Sequence, residues 1–116
     1  MFDDLKRIKC VPVCVFDDIE SSLITAEYLV KCGVDVIEIT LRTENAFKCI
    51  KAIKSEFRDS IVGAGSVLKT EDMDKARDCG AVFAVSPCFD ESLCEFAKKI
   101  PLPYIPGVST PSELFR

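Results

Sequence analysis

Short apolar runs alternate with stretches of helical periodicity every roughly 20 to 25 residues, and this alternation limits the folds open to the chain. The runs lie at 11–16, 36–41, 61–64, 82–85 and 104–105. Each is apolar on nearly every residue, the pattern of a strand covered on both faces in a parallel sheet. Between them the spacing predicts helices over 19–31, 44–56, 71–79 and 90–99. Leu23, Ala26, Leu29 and Val30 mark the inward face of the first, and Ala46, Phe47, Ile50 and Ile53 that of the second. Asp17-Asp18, Thr70 and Asp90 are the expected N-terminal turns and caps, and Cys32-Gly33 and Gly80 the expected stops. Ser109-Thr110-Pro111-Ser112-Glu113 predicts the cap and first turn of one more helix, proline suiting the first helical position.

This is a parallel (β/α) repeat present nearly five times, with no linker or low-complexity segment, so residues 1–116 read as one domain or part of one. Two architectures remain open at this point. A doubly wound open sheet closes at this length, whereas a TIM-type (β/α)8 barrel needs eight units and typically about 250 residues. Both place ligands beyond the carboxyl ends of the strands.

Composition removes several functions. Fifteen basic against 19 acidic residues give a net charge of −4 with no basic patch, which argues against a nucleic-acid partner. No apolar stretch approaches the roughly 20 residues of a membrane span. The N-terminal run Met1-Phe2-Asp3-Asp4-Leu5-Lys6-Arg7 is too charged for a signal peptide, so a cytoplasmic protein is expected. The chain has no histidine, which excludes histidine-containing zinc sites and Ser-His or Cys-His catalysis within it. Seven cysteines (Cys10, Cys14, Cys32, Cys49, Cys79, Cys88 and Cys94) form no C-x-x-C pair and are expected to be reduced and structural, most of them packing as small hydrophobes. No metal cluster is visible, which disfavours a metal-dependent lyase.

The unusual residues fall at strand ends. Glu38 interrupts the second apolar run, and a buried carboxyl has a raised pKa suited to proton transfer. It is a candidate general acid/base, the competing reading being a buried glutamate held by Arg42. Arg42 is a candidate clamp for a carboxylate or phosphate, or else a salt-bridged strand-end arginine. Gly63-Ala64-Gly65-Ser66 would let backbone approach a ligand and supplies a hydroxyl, or else is only a tight turn. It lacks the G-x-G-x-x-G and G-K-[ST] patterns, so no nucleotide cofactor is implied. Ser86-Pro87 reads as a rigid pocket rim or as a plain strand-ending turn.

With these residues placed, the chain resembles the 2-keto-3-deoxy-6-phosphogluconate / 4-hydroxy-2-oxoglutarate (KDPG/KHG) aldolase family. The matching segments, in family order, are Val11-Pro12-Val13, Val36-Ile37-Glu38-Ile39-Thr40-Leu41-Arg42-Thr43, Ile61-Val62-Gly63-Ala64-Gly65-Ser66-Val67-Leu68, Phe83-Ala84-Val85-Ser86-Pro87 and Ile105-Pro106-Gly107-Val108-Ser109-Thr110-Pro111-Ser112-Glu113-Leu114. The resemblance implies the first five units of a TIM-type barrel, usually trimeric, with no cofactor. Its implied activity is a lyase that cleaves a 2-keto-3-deoxy sugar acid to pyruvate and an aldehyde through a lysine Schiff base. It implies Glu38 as the acid/base, Arg42 as the carboxylate clamp, Ser66 where threonine is common, Pro87 as a pocket-lining residue, and Cys88 where glycine is usual. The family's Schiff-base lysine lies on the sixth strand, beyond Arg116. Lys69, nearest to a strand end here, is a poor substitute. The chain alone is therefore expected to be inactive as an aldolase, to be weakly stable, and to form an oligomer or pair with a complementing fragment. The alternative is a non-catalytic remnant that still binds a small keto acid.

Overall fold

The computed structural model describes residues 8–116, so the charged N-terminal run lies outside the described residues. The elements are β1 (Val13–Cys14), α1 (Ile19–Lys31), β2 (Val36–Thr40), α2 (Ala46–Glu56), β3 (Ile61–Gly65), α3 (Thr70–Asp78), β4 (Phe83–Ser86), α4 (Glu91–Lys99), β5 (Tyr104–Pro106) and α5 (Pro111–Leu114). All five strands are parallel and lie side by side in chain order, β1-β2-β3-β4-β5. A doubly wound sheet reverses its strand order at a switch point. Here the order never reverses, so the sheet winds one way, as in a TIM-type barrel.

Register assigns the faces. Glu38 pairs with Val13 on one side and Gly63 on the other, and Thr40 pairs with Gly65. Val36, Glu38 and Thr40 therefore share the inner face, together with Gly63, Gly65 and Phe83. Ile37, Ile39, Val62, Ala64 and Ala84 point the other way and meet Ala46, Cys49, Ile50, Ile53, Met73, Ala76 and Leu93 in one core.

Local chemistry sets most boundaries as expected. The Asp18 carboxylate accepts from Ser21 N at 2.7 Å to cap α1, and Asp90 accepts from Leu93 N at 3.1 Å to cap α4. Thr110 and Glu113 form a reciprocal capping box with Pro111 at the start of α5. Some expectations need correction. Thr70 is the first residue of α3; Lys69 holds the cap position and makes no side-chain cap bond. Val30 is 41% exposed, and the small Ser22 turns inward on α1 in its place, its hydroxyl satisfied by Ile19 O at 2.7 Å. The strand expected over 11–16 shrinks to two residues because β1 pairs only with β2 and Pro12 has no N–H to donate. All seven cysteines are free, but only Cys49 is buried; Cys10, Cys32 and Cys88 are exposed, so the small-hydrophobe reading fails for them. No helix among the described residues is long and apolar enough to cross a membrane.

Candidate active site

Three of the four candidate residues meet where β2 and β3 end. Glu38 lies mid-strand on the inner face, and its side chain reaches across to β3. A Cβ at Gly65 would lie 2.7 Å from the Glu38 carboxyl carbon and overlap one carboxyl oxygen. Only glycine at 65 admits this orientation. Gly63 plays the same part for Phe83, whose ring occupies the space a side chain would need. The expected role of these glycines, access for a ligand, is thus corrected: both gaps are filled by the protein's own side chains.

Burial pushes the Glu38 carboxyl above its usual range, and the positive charge of Arg42 opposes that rise. The two do not form an ion pair. The reading of Glu38 as a carboxylate held by an Arg42 salt bridge is therefore not the arrangement observed. Arg42 instead uses Nε to donate to Ser66 Oγ at 3.2 Å and pairs with no carboxylate among the described residues. Its terminal guanidinium nitrogens remain available to an anion.

Ser66 has φ of +58°, and it is the only non-glycine with positive φ among the described residues. The left-handed region costs an ordinary side chain about 1 kcal/mol or more and concentrates at functional sites. The strain is held in place by backbone ladders on both sides: Leu41 N donates to Gly65 O at 2.8 Å, and Val67 N to Val85 O at 3.0 Å. The exits of β1 and β2 are also tied, Thr43 Oγ1 donating to Phe16 O at 2.6 Å and Asn45 Nδ2 to Asp17 O at 2.7 Å.

Pro87 lies on the exposed turn after β4, at the same end of the sheet. That turn is pinned from behind. Ser86 Oγ donates to Cys88 O at 2.6 Å, so its single proton is used, and Tyr104 is left to donate to Ser86 across 2.5 Å. Cys88 is not in the positive-φ region, so its side chain imposes no backbone strain there. Lys69 is exposed, and none of the described lysines lies in a strand. The sequence reading did not single out Tyr104, or Thr40, which is buried beside Glu38 on the inner face. The apolar, β-rich surroundings of both gave no local signal.

The family model for KDPG and KHG aldolase matches residues 2–116. The KHG/KDPG aldolase of Escherichia coli K12 is 45% identical over 104 residues, covering 90% of this chain and 49% of that protein. The 2-dehydro-3-deoxy-phosphogluconate aldolase of Treponema pallidum is 34% identical over 116 residues, covering 100% of this chain and 55% of that protein. The chain thus spans about half the length of the curated relatives it matches. The crystal structure of the Zymomonas mobilis ZM4 KDPG aldolase with 3-phosphoglycerate superposes with a TM-score of 0.90 at 37% identity, over 97% of this chain and 54% of that one. The Legionella pneumophila KDPG aldolase, holding pyruvate as a covalent carbinolamine, superposes with a TM-score of 0.87 at 37% identity, over 90% and 51%.

Proposed function

The chain belongs to the KDPG and KHG aldolase family, and on that premise we propose that the protein it forms cleaves a 2-keto-3-deoxy sugar acid, or 4-hydroxy-2-oxoglutarate, to pyruvate and an aldehyde through a lysine imine. One observation carries the reading. A carboxyl group raised by burial sits beside a guanidinium that pairs with no carboxylate among the described residues and that the Ser66 hydroxyl after the neighbouring strand holds in place.

The geometry supports the following roles. Arg42, steadied by Ser66, grips the substrate carboxylate and so fixes the keto carbon near Glu38. A lysine amine adds to that carbon to give a carbinolamine, and protonated Glu38 supplies the proton with which water leaves. The resulting carboxylate then takes the proton of the C4 hydroxyl as the C3–C4 bond breaks, and the electrons of that bond pass into the iminium to form an enamine. Reprotonation at C3 and hydrolysis release pyruvate. A raised pKa lets one group serve in both directions near neutrality. Pro87 forms a stiff rim. The pyruvate carbinolamine of the Legionella relative supports pyruvate as the shared product.

Glu38→Gln in the active protein is expected to lower kcat by roughly 10²- to 10⁴-fold; an unchanged kcat overturns the role of Glu38. Because no described lysine lies in a strand, we also propose that these 116 residues alone form no imine. Borohydride in the presence of pyruvate tests this by mass spectrometry, and a trapped adduct on the isolated chain refutes it.

A second reading, a keto-acid-binding protein without turnover, is favoured by the completeness of the Arg42–Ser66 clamp within the chain. Calorimetry with pyruvate separates the two through binding with and without product. The inner face also supports association, in a trimer or with a complementing fragment: Val13, in register with Glu38, is 61% exposed there. Light scattering that finds a stable monomer removes that part of the proposal.

A further inference from the structure

Among the described residues, Thr40 Oγ1 is the one buried side-chain oxygen or nitrogen without a hydrogen-bond partner. Thr40 is 1% exposed. Buried hydroxyls nearly always have a partner, and stranding one costs more than a typical hydrogen bond contributes. The direction in which this hydroxyl faces indicates what would satisfy it.

Val36, Glu38 and Thr40 alternate onto the inner face, away from the helix-packed Ile37 and Ile39. Thr40 is in register with Gly65. The Glu38 carboxyl group occupies the space beside Gly65 that a side chain would fill. Neighbouring strands are about 4.8 Å apart, so the Thr40 hydroxyl and the Glu38 carboxyl flank the same step of the sheet. They do not bond to each other. Gly65, opposite Thr40 in register, has no side chain to offer it, and Arg42 Nε is engaged by Ser66.

We propose that Thr40 Oγ1 and the Glu38 carboxyl group together bind one hydroxylic oxygen, a water in the resting protein and the hydroxyl of the reacting intermediate during turnover. The proposal rests on the reading of Glu38 as the proton-transfer group and extends it to a second residue. An oxygen that gains or loses a proton at Glu38 must be held by something else while the proton moves. A threonine hydroxyl can donate to that oxygen or accept from it, so it can follow the change from hydroxyl to water. Valine, of similar shape, can do neither.

A crystal structure of the protein at about 1.5 Å is expected to show an oxygen within hydrogen-bond distance of both Thr40 Oγ1 and Glu38. Absence of that oxygen, or Thr40 bonded to a main-chain carbonyl instead, overturns the proposal. Thr40→Val is expected to fold with an essentially unchanged melting temperature, because valine keeps the shape of threonine and Thr40 Oγ1 makes no bond to the rest of the described chain. In the active protein it is expected to lower kcat about tenfold or more with KM unchanged, and Thr40→Ser to restore most of the loss. A fall in melting temperature with kcat intact would make Thr40 merely structural. The two readings fail separately. If Glu38→Gln keeps full kcat, the function assigned to Glu38 falls, whereas the bridging oxygen still decides the Thr40 site.

Discussion

On the helix side of the sheet, Ile37, Ile39, Val62, Ala64 and Ala84 are all 3% exposed or less. On the inner side the neighbouring strands carry a glutamate, a threonine and two glycines, and Val13, in register with Glu38, is 61% exposed. The helix side is ordinary packing, in which each residue contributes through the apolar surface it removes from water. The inner side is a set of pairs: Glu38 with Gly65, Phe83 with Gly63, Arg42 with Ser66. A loss on the first face is a loss of volume. On the second it is a loss of fit between two named residues.

The largest effect should therefore come from the helix side. Ile39→Ala, at a fully buried position, is expected to cost about 2 to 5 kcal/mol of unfolding free energy by urea titration. A cost below about 1 kcal/mol would mean that the two faces do not differ as described. Gly65→Ala tests the inner face with the addition of a single carbon. It is expected to cost about 1 to 3 kcal/mol by overpacking and to displace the Glu38 carboxyl, which a crystal structure of the variant would reveal. A variant with Glu38 unmoved would break the pairing.

Glu38 sets a third test, in pH. Its pKa is raised in the folded state, so folding binds a proton more tightly there. Its contribution to stability is full below the unfolded carboxyl range and is lost as pH rises through the raised folded value. The difference in stability between the native chain and Glu38→Gln should shift against the native chain as pH climbs through that window. A difference that does not change with pH would show that burial leaves Glu38 unperturbed. The smallest effect is expected at the rim. Thr43→Val removes the hydroxyl bonded to Phe16 O and should cost about 1 kcal/mol, measured by thermal denaturation; no change would mean that the tie between the β1 and β2 exits adds nothing.

The repeat follows closely from local pattern, since a period of two or 3.6 is written in neighbouring residues; the winding of the sheet does not, because that pattern leaves a doubly wound sheet and a barrel both open, and it is the strand order that decides. The positions of Arg42 and Ser66 just past strand ends, and of Glu38 within the second strand, follow from local pattern too. What local pattern does not carry is register. That Gly65 rather than Gly63 makes room for Glu38, and that Thr40 stands beside the same step, depend on which residue of β2 lies opposite which residue of β3. The left-handed backbone of Ser66 was hidden for a related reason: nothing in a serine announces positive φ, and the ladders that impose it come from two neighbouring strands. The Tyr104–Ser86 bond joins β4 to β5 and is equally non-local.

The gap at Gly65 makes two distant positions a single specification. The reach of the acid at 38 and the missing side chain at 65 are meaningful only together, so tolerance measured at either one alone will mislead. A Gly65→Ala chain is expected to regain stability when Glu38 is shortened to aspartate, although each change alone is harmful. On this geometry the two positions form one unit of fit, and a side chain at 65 is accommodated only when the acid at 38 gives up its reach.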